Sequence, residues 1–303
     1  MKTVDLSIIT VAFNSQNEIK KWVESIEKTV SKYSYEMIIS DNSPNSETEK
    51  VVLELQKKHP ELIYIHNHGN LGFSKGNNVA IKKAKGKYFL FLNPDMEVGE
   101  GTIDGALSFL VEHNDAGSAT PAVYLPNNKL DDSCHRGFPT PWNSFTYFSG
   151  LSRKFPRIKL FAGYNMTYLD LTKVHTIDAL AGSFLIISRD LGEKLKWWDE
   201  DYFFYGEDID FCYRIQKAGY KIYYLPEYKA IHYKGMSSGI KDVSKEVSKA
   251  TIETRIWATN QRFKAMEIFY KKHYKKKYPW LVNTLVSVAI KTKHKMALKN
   301  LQS

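Results

Sequence analysis

Apolar and polar positions repeat with two different periods in the first third of the chain. Residues 4–13 are almost continuously apolar and rich in β-branched side chains, which predicts a strand buried on both faces. The next segment spaces its apolar residues three or four apart, which predicts an amphipathic helix capped by Asn17. The same alternation predicts strands at 35–40, 62–66 and 87–92 and helices near 47–58 and 77–85. This succession favours a parallel sheet with ligand groups at the carboxyl ends of its strands.

The pattern loosens after Asp95. Residues 120–175 are rich in proline, asparagine and aromatic residues, which predicts a long, partly irregular insertion that serves as a lid or binds an acceptor. Further strands are predicted at 182–188, 221–225 and 228–233, and a helical pattern starts near residue 240 and ends in a short helix over 280–290. The chain therefore divides into a domain over residues 1–238 and a basic helical region over 239–303.

The distribution of charge bears on possible partners. The formal net charge of the 303-residue chain is +10, but residues 268–303 hold nine lysines and no acidic residue, which leaves +1 for residues 1–267. A nearly neutral body argues against nucleic-acid binding. The apolar segment 280–290 between lysines predicts peripheral contact with an anionic membrane, and a helix packed on the core is the alternative.

The cysteine count and the amino terminus bear on the cellular compartment. Two cysteines provide neither a disulfide framework nor metal-ligand spacing. The sequence shows no secretory signal and no apolar run of the roughly 20 residues that a spanning helix needs. We therefore expect a cytoplasmic protein that is peripheral at the inner face of the cell membrane.

Polar residues end the first, second and fourth predicted strands. They are Thr10 with Asn14, Asp41, and Asn93 with Asp95. Asp41 can accept a hydrogen bond from a pyrimidine imide, although Asp-Asn-Ser-Pro is also a good turn by itself. Asp95 follows a proline-stiffened turn and suits a divalent cation, Mg²⁺ or Mn²⁺, that bridges a diphosphate; a plain Asn-Pro-Asp turn is the alternative.

Two further segments carry candidate chemistry. In 70–78, two glycines allow close approach of the backbone to a ligand, and Lys75 can contact phosphate, although the spacing is not that of a Walker loop. In 197–210, six acids lie among aromatic rings, a setting that shifts carboxyl pKa values and tunes a general base. A helix that starts at Glu207 would turn Asp208 into the cleft and pair Asp210 with Arg214.

Together, these segments resemble glycosyltransferase family 2, in its rhamnosyltransferase-like branch, over about residues 4–235. The matching segments are 7–14, 40–43, 70–73 with Asn77, 92–95, 181–184, 199–204, and 207–210 with His232. The resemblance implies an α/β fold of the GT-A type, Rossmann-like with a mainly parallel sheet and flanking helices, followed by a C-terminal helical extension.

The resemblance also implies a reaction. The family pattern is an inverting, metal-dependent transfer from a nucleotide-sugar donor to a glycan or lipid-linked acceptor in cell-surface polysaccharide synthesis. The branch implies rhamnose from thymidine diphosphate rhamnose, and a uridine diphosphate hexose is the alternative donor. A nucleotidyltransferase is disfavoured because the phosphate loop it needs after the first strand is missing, and a non-catalytic sugar-binding module is the third candidate.

Residue roles follow from the same resemblance. Asp208 matches the base, with Glu207 beside it in the catalytic group, and Asp95 and His232 match metal-binding positions. Asn93 stands where the first acid of an Asp-x-Asp metal motif is common. The expected nucleotide-sugar pocket comprises Thr10, Val11, Asn14, Asp41, Asn70, Lys75, Asn77 and Asn93.

Overall fold

A mixed sheet of nine strands forms the centre of the computed structural model, which describes residues 4–233 and 251–302. The strands are β1 Leu6–Ala12, β2 Tyr35–Asp41, β3 Leu62–His66, β4 Tyr88–Leu92, β5 Met96–Val98, β6 Ala116–Tyr124, β7 His175–Ile177, β8 Phe184–Ser188 and β9 Lys221–His232. They lie side by side in the order β3-β2-β1-β4-β8-β6-β9-β5, and β7 pairs with β9.

Helices cover the sheet and extend the chain beyond it. The helices of the described residues are α1 Ile19–Thr29, α2 Glu47–Gln56, α3 Phe73–Ile81, α4 Thr102–Glu112, α5 Pro141–Phe148, α6 Leu151–Lys154, α7 Lys159–Ala162, α8 Arg189–Lys194, α9 Glu207–Lys217, α10 Ile252–Phe269 and α11 Trp280–Gln302. A π-helical turn over 270–274 follows α10. None of these helices combines the length and the apolar character needed to cross a bilayer.

The first four long strands form the predicted parallel unit. β1 pairs in parallel with β2 and β4, and β2 with β3. Six of the seven β1 side chains are buried. This agrees with the prediction, from its continuous apolar run, of a strand covered on both faces. On α1, the buried Trp22, Val23 and Ile26 form the stripe that packs on this sheet, although the helix is capped at Glu18 rather than at Asn17.

The second half of the sheet mixes strand directions. β8 runs antiparallel to β4, and β9 pairs in parallel with β6 but antiparallel with β5 and β7. The two strands predicted at 221–225 and 228–233 are one strand, because β9 continues through a shift in its register with β6 between Pro121 and Ala122. The β5 pairing sets Met96 opposite His232, which brings Asp95 beside that histidine.

Helix α3 starts four residues before its predicted start. Gly72 adopts φ +78°, and a Cβ there would lie 2.5 Å from the carbonyl oxygen of Phe203. The N–H of Phe73 donates to that same oxygen at 3.0 Å, and the helix begins at this residue. Lys75 and Asn77 therefore belong to a helix rather than to a phosphate-binding loop, and glycine is required at 72 by both its φ and its contact.

Helices α10 and α11 pack against each other. The Nε2 atom of His294 lies 2.7 Å from the Oδ1 atom of Asn260, and the His294 ring stacks on Phe263. The final helix is longer than predicted, since it runs past residue 290. The predicted domain boundary at 238/239, and the helical pattern predicted for 240–250, lie outside the described residues.

Candidate active site

A cleft of about 2170 Å³ lies at the carboxyl ends of the parallel strands and continues toward the C-terminal helices. Its polar lining includes Asn14, Glu18, Asn70, Asn93, Asp95, Asp131, Arg136, Glu207, Asp208 and His232. Its apolar lining comes mainly from α5, α10 and α11. The cleft therefore brings the predicted base and both predicted metal residues to one space.

Asp95 and His232 meet because β5 and β9 are neighbours. The backbone N–H of Tyr233 donates to the Asp95 carbonyl at 3.0 Å, and the Asp95 Oδ1 atom lies 3.2 Å from His232 Nε2. The other ring nitrogen of His232 lies 3.5 Å from an oxygen of the buried Asp131. The histidine thus presents one ring nitrogen toward each carboxylate.

A further acid faces the same end of the cleft. Glu18, at the start of α1, lines the cleft, and burial together with the nearby Asp95 carboxylate raises its pKa. A raised pKa marks a carboxyl that is partly desolvated beside a like charge. Glu18 therefore adds a further carboxyl group to the end of the cleft that holds Asp95 and His232.

Asp208 is held from two sides. Its Oδ2 atom accepts a hydrogen bond from the Arg136 guanidinium at 2.8 Å and from the Gly182 N–H at 3.3 Å. Arg136 also donates to the Leu180 carbonyl at 2.9 Å. Burial acts to lower the pKa of Arg136, but the opposite effect of the Asp208 carboxylate and Tyr164 is larger. The pKa is therefore raised above its ordinary value, and the guanidinium stays charged. Asp208 is consequently a positioned, ion-paired carboxylate at the wall of the cleft.

Glu207 differs from its neighbour. It is buried, and its Oε2 atom makes no hydrogen bond within the described residues. Burial and the adjacent Asp208 carboxylate raise its pKa well above the usual carboxyl range. Two adjacent acids therefore have different surroundings, one paired with an arginine and one buried without a partner for its Oε2 atom.

The predicted donor-binding residues fall into two groups. Val11, Asn14, Asn70 and Asn93 line the cleft. The Asn14 backbone has φ +53°, and its N–H donates to the Ser43 hydroxyl at 2.7 Å. Thr10 and Asn77 are buried outside the cleft lining, and Lys75 is exposed on α3. The sheet thus brings half of the predicted set to the cleft wall.

Asp41 is fully buried at the end of β2 and does not line the cleft. One carboxylate oxygen accepts hydrogen bonds from the N–H and hydroxyl of Ser43, at 2.8 and 2.5 Å. The other accepts from the Tyr64 hydroxyl at 2.8 Å, and burial together with this contact raises the Tyr64 pKa. These contacts are those of a turn-stabilising aspartate, and contact with a pyrimidine base stays a prediction.

Several charged residues of the cleft, among them Glu18, Asp131 and Arg136, were not identified from the sequence. Asp131 and Arg136 lie in the segment treated as an irregular insertion, and Glu18 starts a helix. The sequence did contain a signal for two of them, since Asp131, Asp132 and Arg136 cluster within a stretch rich in proline and aromatic residues. Among the described residues, Glu27, His59 and Glu61 are the one set of three potential ligands within 4.8 Å of one another, and none lines the cleft.

The predicted pairing of Asp210 with Arg214 is confirmed, and a third partner joins it. The Arg214 Nε atom lies 2.7 Å from the carboxylate and His273 Nε2 lies 2.6 Å from it. Burial acts to raise the pKa of Asp210, but His273 and Arg214 outweigh it and lower the pKa. Because His273 follows α10, this ion cluster attaches the C-terminal helices to α9 beside Glu207 and Asp208.

Replacement of this buried carboxylate should destabilise the fold. Asp210→Ala leaves Arg214 and His273 without their acceptor, and removal of one member of a buried pair costs about 3–5 kcal/mol in the free energy of unfolding. Because the pKa of Asp210 is lowered, its contribution is present above the ordinary carboxyl pKa and is lost as the pH falls through the lowered value. Urea unfolding at pH 7 and at pH 3 measures both effects.

A surface pair with the same spacing serves as the control. Glu193 lies four residues from Arg189, at 3.6 Å, and its side chain is 57% exposed. Glu193→Ala should change the free energy of unfolding by less than about 1 kcal/mol, since exposed pairs contribute little. Equal losses for the two variants would contradict the ion cluster as a stabilising attachment.

Comparison with known proteins identifies relatives over most of the chain. A family model described as glycosyl transferase family 2 matches residues 7–171, and one described as glycosyl transferase family group 2 matches residues 158–295. Rhamnosyltransferase WbbL of Escherichia coli (strain K12) is 28% identical over 241 residues, which cover 75% of this chain and 82% of the relative.

A second rhamnosyltransferase and a solved structure are also similar to this chain. The N-acetylglucosaminyl-diphospho-decaprenol L-rhamnosyltransferase of Mycobacterium tuberculosis (strain CDC 1551 / Oshkosh) is 23% identical over 249 residues, 77% of this chain and 78% of the relative. Among solved structures, GalNAc-T7 with UDP, GalNAc and Mn²⁺ superposes with a TM-score of 0.60 at 15% identity. That match covers 97% of this chain, which spans 55% of the other.

Proposed function

The chain belongs to glycosyl transferase family 2, and we propose that it transfers a sugar from a nucleotide diphosphate to an acceptor hydroxyl with inversion at the anomeric carbon. Family membership confirms the predicted glycosyltransferase and leaves the nucleotidyltransferase alternative without support. The carrying observation is that the Asp208–Arg136 pair and the Asp95–His232 pair face one cleft. Such a cleft can hold a donor and an acceptor together.

Asp208 is proposed as the general base. Its carboxylate takes the proton of the acceptor hydroxyl as that oxygen attacks the anomeric carbon, and the bond from this carbon to the leaving diphosphate breaks on the opposite face. Arg136 and the Gly182 N–H hold one oxygen of Asp208. The other oxygen accepts a hydrogen bond from the Ile209 N–H at 2.7 Å and keeps a second lone pair that can take the proton. Glu207, with its raised pKa, favours the protonated form and is the less suitable acceptor.

Asp95 and His232 are proposed to hold a divalent cation. A carboxylate oxygen and an imidazole nitrogen 3.2 Å apart offer a mixed oxygen and nitrogen donor set, which suits Mn²⁺ better than the oxygen-preferring Mg²⁺. When bound, the cation would neutralise charge on the departing diphosphate. Asp131 orients the imidazole from its other side, at 3.5 Å.

Donor and acceptor are proposed from the relatives' names. The Escherichia coli and Mycobacterium tuberculosis relatives are rhamnosyltransferases, which supports rhamnose as the transferred sugar, with a uridine diphosphate hexose as the alternative. The second relative acts on a lipid diphosphate, which supports a lipid-linked acceptor. The donor-binding residues stay a prediction: Thr10, Val11, Asn14, Asp41, Asn70, Lys75, Asn77 and Asn93. Four of them, Val11, Asn14, Asn70 and Asn93, have direct support because they line the cleft.

Thermal stabilisation by nucleotide sugars tests this proposal. A ligand that binds the folded state adds about 2.7 kcal/mol to the free energy of unfolding at a concentration of 100 times its dissociation constant, and the melting temperature rises accordingly. We expect thymidine diphosphate rhamnose to stabilise the chain in the presence of Mn²⁺, and to be hydrolysed slowly in water when no acceptor is present. Differential scanning fluorimetry and release of thymidine diphosphate are the measurements.

The panel also includes uridine and guanosine diphosphate hexoses and Mn²⁺ alone. Stabilisation by a uridine diphosphate hexose instead would replace the donor and keep the enzyme class. Binding of sugars without any nucleotide, together with no release of nucleoside diphosphate, would favour a sugar-binding module over a transferase.

A further inference from the structure

The cleft extends from Asp208 into an apolar arm that the donor and metal residues do not explain. The arm lies between α5, α10 and α11, and its lining includes Phe145, Phe148, Trp257, Met266, Val286 and Ile290. Phe145 and Phe148 are 55% and 43% exposed although they face this space. Large apolar side chains that line a concave space without filling it are typical of a binding site for an apolar ligand.

The arm also carries positive charge. Lys293 and Arg262 line it, and Lys293 Nζ lies 5.2 Å from the centre of the Phe148 ring. Arg262 interacts electrostatically with the Tyr147 hydroxyl on the opposing helix. Two cations beside an apolar channel are complementary to a ligand with a hydrocarbon chain and a phosphate-bearing head.

The outer side of α11 continues the apolar surface. Residues that line the arm, such as Val286 and Ile290, share this helix with Leu281 and Val288, which are outside the lining and are exposed by more than half. The lysines of 271–277 and 291–299 flank this face. An apolar chain could therefore pass from an anionic bilayer surface into the arm without crossing a polar barrier.

We propose that the arm binds the isoprenoid chain of a lipid-diphosphate acceptor, with the diphosphate near Arg262 and Lys293 and the acceptor sugar toward Asp208. The inference rests on the proposed function, because it places an acceptor hydroxyl within reach of the proposed base. It assigns the acceptor chain to the helices of the C-terminal region and to α5, separately from the predicted donor residues at the carboxyl ends of β1 and β4.

Two valines on α11 provide a matched pair of variants. Val286 lines the arm, whereas Val288 is 56% exposed and does not. Farnesyl diphosphate and inorganic diphosphate are titrated into the full chain by calorimetry, with wild type, Val286→Asp and Val288→Asp. We expect the wild type to bind farnesyl diphosphate at least tenfold more tightly than inorganic diphosphate. Val286→Asp should lower the affinity for farnesyl diphosphate at least tenfold, whereas Val288→Asp should lower it less than twofold.

A variant on the opposing helix guards against misfolding of α11. Phe148→Ser removes an exposed ring from α5 and should weaken farnesyl diphosphate binding at least fivefold with an unchanged circular dichroism spectrum. Equal affinity of the wild type for farnesyl and inorganic diphosphate would overturn the inference. Equal losses of farnesyl diphosphate affinity in the two valine variants would also overturn it. The same holds if Val286→Asp changes only the oligomeric state, from dimer to monomer, or only the binding of phosphatidylglycerol vesicles, with its affinity for farnesyl diphosphate unchanged.

The same variants separate this inference from the proposed function. Stabilisation by a nucleotide sugar with Mn²⁺ depends on the donor end of the cleft, so both valine variants should keep it. A wild-type chain that binds farnesyl diphosphate but no nucleotide sugar would count against the transferase alone. A chain that binds and hydrolyses a nucleotide sugar but treats the two diphosphates alike would count against the arm alone.

Discussion

Asp208→Asn should lower kcat for sugar transfer by about 1000-fold, because a positioned general base contributes roughly 10²- to 10⁴-fold and an amide cannot take the acceptor proton. The Asn side chain still offers Arg136 a carbonyl oxygen, so the cost to the free energy of unfolding should be about 1–3 kcal/mol and the chain should remain folded. Initial rates with saturating donor and thermal melting measure the two effects.

Asp201→Asn is the matched control for this variant. Asp201 belongs to the same acidic segment, but its side chain is 68% exposed, pairs with Lys272 and does not line the cleft. Its removal should leave kcat within about twofold, as expected of an exposed pair. Donor binding should be unchanged in both variants; an Asp208→Asn enzyme with wild-type turnover would remove Asp208 from the role of base.

Asp95→Asn should weaken Mn²⁺ binding by roughly 100-fold or more, since loss of an outer-shell partner alone costs 10- to 100-fold. Transfer should fall by at least about 100-fold at fixed Mn²⁺, because a bound cation contributes several kcal/mol of stabilisation to the developing charge. Chelation of the wild type should give a similar loss, reversible on return of the metal. Electron paramagnetic resonance of free Mn²⁺ measures affinity without knowledge of donor or acceptor.

Glu97, on the strand that follows Asp95, supplies a control. It follows Asp95 by two residues, is exposed, and accepts a hydrogen bond from the Tyr233 hydroxyl at 2.7 Å outside the cleft. Glu97→Gln should retain Mn²⁺ affinity within about twofold. Unchanged Mn²⁺ affinity in Asp95→Asn would place the metal elsewhere, and His232→Ala would then be expected to have no effect on it either.

The parts of the fold that were predictable are those in which local pattern and packing agree. The continuous apolar run of β1 and the helical stripe of α1 identified their elements because each buries the residues that define its period. The start of α3 was misplaced because it depends on a contact between Gly72 and Phe203, which are distant in sequence. Strand β9 was divided in two because Pro226 resembles a break, whereas β6 pairs with the strand on both sides of it.

The same distinction between local pattern and distant contacts applies to the site residues. Asp208 was identifiable because its neighbours in sequence supply its acidic and aromatic setting. Arg136, 72 positions away, was not, because the sheet and the insertion bring the two side chains together. Asp41 shows the reverse, since a motif that suggests a ligand also forms a hydrogen-bonded turn, and both of its oxygens are used within the protein.

Strand β9 has a consequence for how the chain is made. Among the described residues it is the last strand in sequence, yet it pairs with β5, β6 and β7. During synthesis, β1 to β4 can assemble as a parallel unit as soon as residue 92 has emerged, whereas β5 and β7 have no strand partner until residue 221 follows. Unpaired strand edges favour aggregation in incomplete chains. Asp95 can therefore meet His232 only after residue 232 has been synthesised, so the proposed cation site forms only once β9 is in place.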